Sequence, residues 1–485
     1  MSPVDPSQLD AIREAATKRF GEQTMFHGNE IPAALALPFD SIELNLATFG
    51  GARMGRMMHL WGGPSSGKAL HIDTPIPTPS GWSTMGDLKV GDYVFDDTGA
   101  PTRISFTSSI MLGNECYEVV FDDGTSILAD AEHLWTVESY RSRKSRYRWA
   151  NHEYLGGPKA RNQSDLMVAG TTTLTTREMI GDLVLSGGRK NFTIDNCAPL
   201  DLPEAKLPIE PYVLGVWLGD GSSHHGQIFT DDPEVIDQIA AHGYETAKSK
   251  PKYQYAIYGL YRKLRLSGLI KNKHIPSEFM RASVNQRLAL LQGLMDTDGE
   301  ATNSGSCVFS SSSLRLMLDT QELCASLGIK STIKERRAKL NGKDCGPTWR
   351  LSFTTDLDVF RLRRKRERHA ALRASCSHNH KRYTKRSIVE INKVESVPVR
   401  CIEVDSESHL YLAGRQMVPT HNTMAAWSIA RSAQNYRSDQ FPDGMTVCYY
   451  NVEGTYDADF TAELGVDVDN VEVVNCGIIE DIGRH

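Results

Sequence analysis

Residues 57–69 read MMHLWGGPSSGKA, and they predict both the fold of the flanking chain and an interruption of it. The spacing of Gly62, Gly67 and Lys68 is that of a phosphate-binding loop, whose backbone N–H groups surround phosphates while the lysine reaches their outer oxygens. Such a loop requires Ser or Thr next, and then a helix. Here Ala69 follows, and the three prolines of LHIDTPIPTPSGW exclude a helix. The motif is therefore either a chance match or an interrupted one.

The missing half of this motif begins at Thr423, after an intervening segment of 354 residues, 69–422. The sequence TMAAWSIARSAQ supplies the required hydroxyl and then the apolar spacing of an amphipathic helix. Joining Lys68 to Thr423 restores a strand, loop and helix, which favours an insertion over a chance match. In the restored loop, Thr423 would ligate Mg²⁺. The residues expected to hold nucleotide phosphates are Gly62, Gly63, Pro64, Ser65, Ser66, Gly67 and Lys68, with Thr423.

Length and composition limit the class of protein. The 485 residues suffice for two to four domains, and 40% hydrophobic with 24% charged residues is typical of globular proteins. Because no run of about 18 apolar residues and no secretory leader are visible, we expect a cytoplasmic protein without a membrane partner. Nine cysteines without a CxxC pair predict neither a disulfide framework nor a zinc site.

Charge separates the insertion from its flanks. Residues 1–68 and 423–485 together carry a net charge of −9, whereas residues 69–422 carry +3. Within the insertion, residues 330–390 hold 18 Lys and Arg against 6 Asp and Glu. Such a run is equally typical of a solvated helix face, and it indicates nucleic-acid binding only beside a DNA-cutting motif.

The right boundary of the insertion combines three groups that can cleave and rejoin a peptide. Residues 417–422 read MVPTHN and precede Thr423. The side-chain amide of Asn422 can attack its own peptide carbonyl, because the step is intramolecular, and His421 can protonate the leaving amine. Thr423 then offers an acceptor hydroxyl.

With this boundary, residues 69–422 resemble an intein, a self-splicing protein segment. Most inteins begin with Cys or Ser, but Ala69 has no nucleophile. The resemblance to the subclass that lacks the first nucleophile implies that Cys401, in VPVRCIEVDSESHLYLAG, attacks instead, accompanied by Trp135 and Thr423. Taken alone, Cys401 is equally typical of a small buried strand residue. The short alternating strands suit the all-β Hint horseshoe of this family.

The same resemblance assigns further roles within the segment. His133, in LADAEHLWTV, and Asp130 match the block that activates the Lys68–Ala69 amide, and His409 is expected to support the last step. Cys401 would attack the Lys68 carbonyl before the acyl group moves to Thr423. Direct attack by Thr423 is the weaker alternative, because an unactivated hydroxyl is a poorer nucleophile than a thiolate. No cofactor is expected for splicing.

A second activity is indicated by two similar apolar segments, PYVLGVWLGDGS (211–222) and LLQGLMDTDGE (290–300). Each predicts a helix with small residues on one side that ends at Asp-Gly, and singly each is typical of a buried helix with a capping turn. As a pair they resemble LAGLIDADG homing endonucleases, which implies that Asp220 and Asp298 hold Mg²⁺ and that double-stranded DNA is cut. Lys273, in KNKHIPSEF, is given an electrostatic or proton-transfer role.

The joined flanks resemble the start of a RecA-type recombinase core, in which a loop, a helix and a strand precede a Glu. That resemblance implies that Glu453 orients the attacking water, with ATP and Mg²⁺ as cofactors and single-stranded DNA as the partner of the complete host. The predicted architecture is multidomain, an α/β P-loop core split by an all-β Hint domain that carries an α+β endonuclease.

The expected domains follow from these assignments. Their boundaries are 1–68 for the first ATPase part, 69–197 for the splicing domain with an unassigned insert, 198–384 for the endonuclease, 385–422 for the rest of the splicing domain and 423–485 for the second ATPase part. Residues 138–197 match no known pattern. The alternatives are an ATPase whose DNA-binding insertion is never excised and an insertion whose motifs have decayed.

Overall fold

The computed structural model describes residues 36–37, 52–53, 69–145, 170–249, 251–340, 343–375, 382–421, 434, 447–451 and 467–475. The chain divides into two compact units, Met1–Pro64 with Met424–His485 and, in the sequence between them, Ser65–Thr423. The predicted phosphate loop, residues 62–68, and the predicted site residues Asn422, Thr423 and Glu453 lie outside the described residues.

The chain from Ala69 to Asp195 is mostly β-structure where it is described, as its alternating sequence predicts. Before it, β1 (Ala36–Leu37) pairs antiparallel with β2 (Ala52–Arg53). The next elements are β3 (Leu70–His71), β4 (Pro75–Thr78), β5 (Gly81–Thr84), β6 (Tyr93–Phe95), β7 (Pro101–Thr107), β8 (Cys116–Phe121), β9 (Ser126–Asp130), β10 (Leu134–Val137), β11 (Thr172–Thr175), α1 (Thr176–Met179), β12 (Val184–Leu185), β13 (Arg189–Lys190) and β14 (Thr193–Asp195). Side chains of β7 from Pro101 to Ile104 alternate between exposed and buried because successive strand residues face opposite sides.

An α+β domain follows, in which a long helix twice precedes an antiparallel sheet. Its elements are α2 (Pro211–Asp220), β15 (Gln227–Phe229), α3 (Pro233–Ala241), β16 (Thr246–Lys248), β17 (Gln254–Ile257), α4 (Leu260–Leu266), α5 (Ser277–Met280), α6 (Val284–Asp298), β18 (Gly299–Ala301), β19 (Cys307–Ser311), α7 (Leu314–Ser326), β20 (Ser331–Leu340), β21 (Lys343–Phe353) and α8 (Arg363–Ser375). The sheets have the orders β15-β17-β16 and β18-β19-β21-β20.

Helices α2 and α6 pack directly on each other. A Cβ on Gly293 would lie 2.3 Å from the Tyr212 carbonyl oxygen, and one on Gly215 would lie 2.3 Å from that of Leu290. Larger side chains at these positions would force the backbones apart. The helix α6 begins at a capping box formed by Ser283 and its N3 residue, which satisfies two backbone donors. The two predicted Asp-Gly motifs therefore end neighbouring helices.

The chain then returns to the β-domain. The remaining strands are β22 (Lys385–Val394), β23 (Val399–Arg400), β24 (Ile402–Val404), β25 (Leu410–Ala413), β26 (Val418–His421), β27 (Val447–Asn451) and β28 (Val471–Asn475). A six-stranded sheet of order β14-β22-β8-β9-β3-β23 joins distant parts of the sequence, and β27 pairs parallel with β28. Because β11 pairs with β10 and β14 with β22, residues 172–195 belong to the β-domain. The sequence had left this segment unassigned.

The β-domain and the α+β domain share a small apolar core. It contains Phe95 of β6, Ala325 of α7, Leu412 of β25 and Met417, together with linker residues that include Leu200. Here we call this cluster the shared core. Since its members come from both domains, the two domains are packed against each other and are not joined only by linkers.

Candidate functional site

The first candidate site surrounds the start of the insertion, where Ala69 and Cys401 face each other. Strand β3 pairs antiparallel with β23 so that Leu70 is opposite Arg400. Continuing that register by one residue places Cys401 opposite Ala69, a separation of about 4.5–5.5 Å between Cα atoms in an antiparallel pair. Both residues are buried in one apolar cluster. The predicted nucleophile therefore lies beside the predicted N-terminal junction.

Ser108 fixes the backbone of Cys401 from the other side. The Cys401 amide donates a hydrogen bond to Ser108 Oγ at 3.0 Å, and the Ser108 amide donates to the Cys401 carbonyl oxygen at 3.0 Å. The Cys401 thiol donates to the Ile402 carbonyl oxygen at 3.6 Å. With its backbone held, the sulfur has a defined position relative to β3.

Asp130 contacts the same junction through its backbone. Its amide donates to the Ala69 carbonyl oxygen at 3.0 Å, which continues the β3–β9 ladder. Its carboxylate accepts hydrogen bonds from the Asn114 side chain and the Glu132 amide. Burial raises the pKa of Asp130 despite these donors. Asp130 thus lies next to Ala69, as the motif implies.

His133 connects this region to the other end of the insertion. Its ring is fully buried, and Nε2 forms a hydrogen bond with the hydroxyl of Thr420, two residues before Asn422. Trp135 lies edge-on to the ring with 4.9 Å between centroids, and its indole N–H donates to Thr176 Oγ1 at 3.0 Å. Thr176 in turn donates its hydroxyl to the His133 carbonyl oxygen. Trp135 therefore helps to orient His133 and not the nucleophile directly.

His409 and His421 lie together at the end of the last hairpin. Strand β25 pairs with β26 so that Leu410 is opposite His421, and the two imidazole rings stack with centroids 6.4 Å apart. His409 adopts φ 55°, which is uncommon for a residue other than glycine. Both histidines thus lie at the point where the described chain stops before Asn422.

The second candidate site lies where α2 and α6 end. Asp220 and Asp298 are the last residues of the two helices. Burial, and then the charge of Asp298, raise the pKa of Asp220 to about 6. Burial likewise raises the pKa of Asp298. Two carboxylates that oppose each other's ionisation are typical of a cation site.

Lys273 caps the end of α2, as well as facing both aspartates. Its ammonium group donates to the carbonyl oxygens of Leu218, Gly219 and Gly221 at 3.1, 3.1 and 2.7 Å. Burial lowers the pKa of Lys273 to about 8, while the charges of Asp298 and Asp220 oppose that shift. A cation at a helix C-terminus is favoured by the helix dipole.

Lys365 occupies the equivalent place at the end of α6, and the sequence analysis missed it. Its ammonium group donates to the carbonyl oxygens of Met295, Asp296, Thr297 and Gly299 at 2.7–3.1 Å. Burial lowers the pKa of Lys365 to about 8. In the sequence it is one of six basic residues between positions 361 and 368, and nothing distinguishes it from its neighbours.

The paired aspartates fit Mg²⁺ better than a metal that requires an all-protein cage. Within the described residues, no group of three or more His, Cys, Asp or Glu side chains is arranged to hold a metal ion. Mg²⁺ usually keeps several waters and binds one or two carboxylates together with substrate phosphates. Asp220 and Asp298 supply those two carboxylates. Among the described residues, no helix is both long and apolar enough to cross a membrane.

Comparison with protein families finds one match within the α+β domain. Residues 285–365 match the model described as a LAGLIDADG-like domain. The match includes both Asp298 and Lys365, whereas Asp220 lies outside it. A LAGLIDADG-like domain is therefore present in the insertion, as the sequence predicted.

Two curated proteins are similar to the chain over different lengths. A replicative DNA helicase DnaB of Mycobacterium intracellulare is 41% identical over 374 residues, which cover 76% of this chain and 61% of that protein. A replicative DNA helicase DnaB of Mycobacterium leprae (strain TN) is 48% identical over 95 residues, covering 20% and 16%. Only 131 residues of this chain lie outside residues 69–422, so most of the longer match falls inside the insertion. The chain spans about 61% of the length of the first relative.

Solved structures with some likeness to the chain include two inteins. The Msm DnaB1 intein splicing domain bound with zinc is 18% identical with a TM-score of 0.23, and the MchDnaB-1 intein is 18% identical with a TM-score of 0.22. Each comparison covers 73% of this chain and 100% of the other. Similarity at this level transfers no residue role to this chain.

The expectation of a RecA-type recombinase host was wrong. A phosphate loop, a helix and a strand followed by Glu occur in more than one class of ATPase, so 131 flanking residues did not discriminate between them. The curated relatives are instead replicative helicases. The chain is therefore similar to replicative DNA helicases of the DnaB type, and its insertion carries a LAGLIDADG-like domain.

Proposed function

We propose that residues 69–422 excise themselves and join Lys68 to Thr423. The observation that carries this proposal is the register that places Cys401 opposite Ala69 in a buried cluster. The Cys401 thiolate attacks the Lys68 carbonyl carbon, a C–S bond forms, and the C–N bond to Ala69 breaks. His133 supplies the proton that the Ala69 amine takes up.

The remaining steps occur at the other end of the insertion. The Thr423 hydroxyl attacks the thioester carbonyl and displaces Cys401, which leaves the first flank as an ester. The Asn422 side-chain nitrogen attacks its own carbonyl, and the bond to Thr423 breaks as a succinimide forms. His421 protonates the Thr423 amine, which then takes the acyl group from its own hydroxyl. The stacking of His409 on His421 supports this assignment.

A test of splicing compares two buried cysteines of the same cluster. The expressed chain should yield a free insertion of 354 residues and a ligated product of 131 residues. Cys401→Ala should leave the full chain of 53.9 kDa unprocessed, because no other nucleophile faces the junction from that position. Cys116→Ala is the matched control, since Cys116 shares the cluster but has no role in the reaction, and it should splice. Splicing by Cys401→Ala, read by intact mass, would refute the assignment.

We infer that the insertion also cuts double-stranded DNA at a specific site. The support comes from the LAGLIDADG-like match and from the paired aspartates, each with a lysine at the same helix end. Mg²⁺, when bound by Asp220 and Asp298, supplies positive charge that stabilises the cleaved phosphodiester and lowers the pKa of water. Lys273 and Lys365 add charge beside the scissile phosphate.

The nuclease test uses isosteric replacements. Asp220→Asn combined with Asp298→Asn should abolish cleavage of DNA that carries the joined Lys68–Thr423 coding sequence, because the carboxylate ligands are lost. Splicing of the same variant should continue. If splicing stopped in a variant that still folded, the two activities would not be separable as proposed.

We propose that the joined flanks belong to an ATPase of the replicative-helicase type. After splicing, residues 62–68 with Thr423 would bind ATP and Mg²⁺. The complete host would then act on single-stranded DNA in the cytoplasm. Before splicing the phosphate loop continues into β3 and not into a helix, so nucleotide affinity should rise on splicing. Equal affinity of an unspliced Cys401→Ala chain and the ligated product, measured with a fluorescent ATP analogue, would contradict this.

A further inference from the structure

Tyr411 is a fully buried tyrosine that the splicing steps above do not use. It lies in β25, and its hydroxyl has no hydrogen-bond partner within the described residues. A buried hydroxyl without a partner is unfavourable, and native proteins retain few of them. Such a group near reacting atoms therefore requires an explanation.

The position of Tyr411 relates it to both parts of the splicing site. Tyr411 is opposite Thr420 in the β25–β26 pair, and Thr420 is hydrogen-bonded to His133. Tyr411 also packs in one buried cluster with Trp135 and with Ile402, the residue that follows Cys401. Burial, and then the neighbouring charge of Cys401, raise the pKa of Tyr411 well above its usual value. The phenol thus faces the nucleophile as a protonated donor.

The hydrogen bonding of the Cys401 sulfur changes when it becomes a thiolate. As a thiol it donates to the Ile402 carbonyl oxygen. Once its proton has left, the sulfur can only accept, and a carbonyl oxygen cannot donate to it. The surrounding side chains of the cluster are mainly apolar and disfavour a thiolate. A nearby donor would offset this effect.

We propose that the Tyr411 hydroxyl donates a hydrogen bond to the Cys401 sulfur while the sulfur carries negative charge, and so promotes the first step of splicing. No bond to Tyr411 forms or breaks, and its proton stays on oxygen. The inference rests on the proposed splicing function, since it requires Cys401 to be the nucleophile.

The test removes only the hydroxyl. Tyr411→Phe, in a Thr423→Ala chain that cannot transfer the acyl group, should form the Cys401 thioester about ten- to a hundredfold more slowly. The thioester is measured as the dithiothreitol-dependent release of residues 1–68. Release at Asn422, measured in a Cys401→Ala chain, should be unchanged. The melting temperature should stay the same or rise, because an unsatisfied buried hydroxyl is removed.

Tyr212→Phe is the matched control, because Tyr212 is also fully buried but its hydroxyl donates to Asp296 in the α+β domain. It should leave thioester formation unchanged. A wild-type rate for Tyr411→Phe would overturn the inference, and so would an equal loss of both cleavages, which indicates a structural role. Splicing by Cys401→Ala would overturn the proposed function itself. Blockage by Cys401→Ala with a normal rate for Tyr411→Phe would refute only the role of Tyr411.

Discussion

At the scale of single residues, Lys273 and Lys365 show how one chemical solution occurs twice. Each ammonium group is surrounded by the last carbonyl oxygens of a helix that ends in an aspartate. A lysine donates three hydrogens and carries a full charge, so it satisfies unpaired carbonyls and also places positive charge beside the carboxylates. The two halves of the site are therefore equivalent in chemistry although their sequences differ.

We expect Lys273→Met and Lys365→Met each to lower the rate of DNA cleavage about a hundredfold, because each removes a charge next to the scissile phosphate. The measurement is single-turnover cleavage at saturating protein. Arg366→Gln is the comparison, since Arg366 is an exposed neighbour of Lys365. It should weaken DNA affinity without changing the saturated rate. Normal cleavage by Lys365→Met would remove Lys365 from the site.

The sequence predicted those site residues that belong to short patterns, and only those. Asp220 and Asp298 each end a glycine-containing apolar helix, which is a local signal. Lys365 follows Asp298 by 67 residues and lies among other basic residues, and Tyr411 is one aromatic residue in a strand. Their importance depends on long-range packing, which no local spacing encodes.

At the scale of secondary-structure elements, the contact between α2 and α6 positions the nuclease site. Both helices are almost completely buried over much of their length, and their backbones approach at Gly215 and Gly293. Because the helices are in close contact there, their C-terminal aspartates lie side by side. Helix type and approximate ends follow from the sequence, since an acceptor at the N-cap and an Asp-Gly end are local signals.

Gly293→Ala should destabilise the protein by about 1–3 kcal/mol, because the new Cβ would meet the Tyr212 backbone and push the helices apart. Thermal unfolding followed by circular dichroism measures the effect. Asn285→Ala, on the exposed side of the same helix, should not lower the melting temperature, since Ala favours helix. Equal melting temperatures for wild type and Gly293→Ala would mean that the helices are farther apart than described.

The β-elements show where local reasoning stopped. Strand β14 pairs with β22, in which Thr193 is opposite Ser387 across nearly the whole α+β domain. No periodicity within residues 138–197 indicates a partner so distant in sequence. The all-β character was predicted from alternation, but the membership of this segment required the structure.

At the scale of the whole insertion, the shared core couples the two domains. Trp82 of the β-domain donates its indole N–H to Glu322 of α7 at 2.8 Å, beside this core. Arg281 contacts both Glu322 and the Trp82 ring. Leu412 of the shared core lies in β25, the partner of the strand that ends at His421. The α+β domain therefore supports the hairpin that leads to the C-terminal junction.

We expect Ala325→Asp to slow splicing, although Ala325 lies in the α+β domain, because a charge would be placed in the shared core. Product formation over time and the melting temperature are both measured, and both should fall. Leu318→Asp is the control on the same helix, since its side chain is 51% exposed, and it should splice normally. Unchanged splicing by Ala325→Asp would show that the domains are energetically independent.

The shared core also has a consequence for inheritance. A deletion that removes the α+β domain would leave Phe95, Leu412 and Met417 facing water in the part that must still splice. Loss of DNA cutting by a point substitution would cost the host nothing, whereas loss of the whole domain would endanger production of the helicase. We therefore expect descendants of this insertion to retain inactive nuclease domains for longer than selection for DNA cutting requires, and shortened descendants to carry polar residues at these three positions.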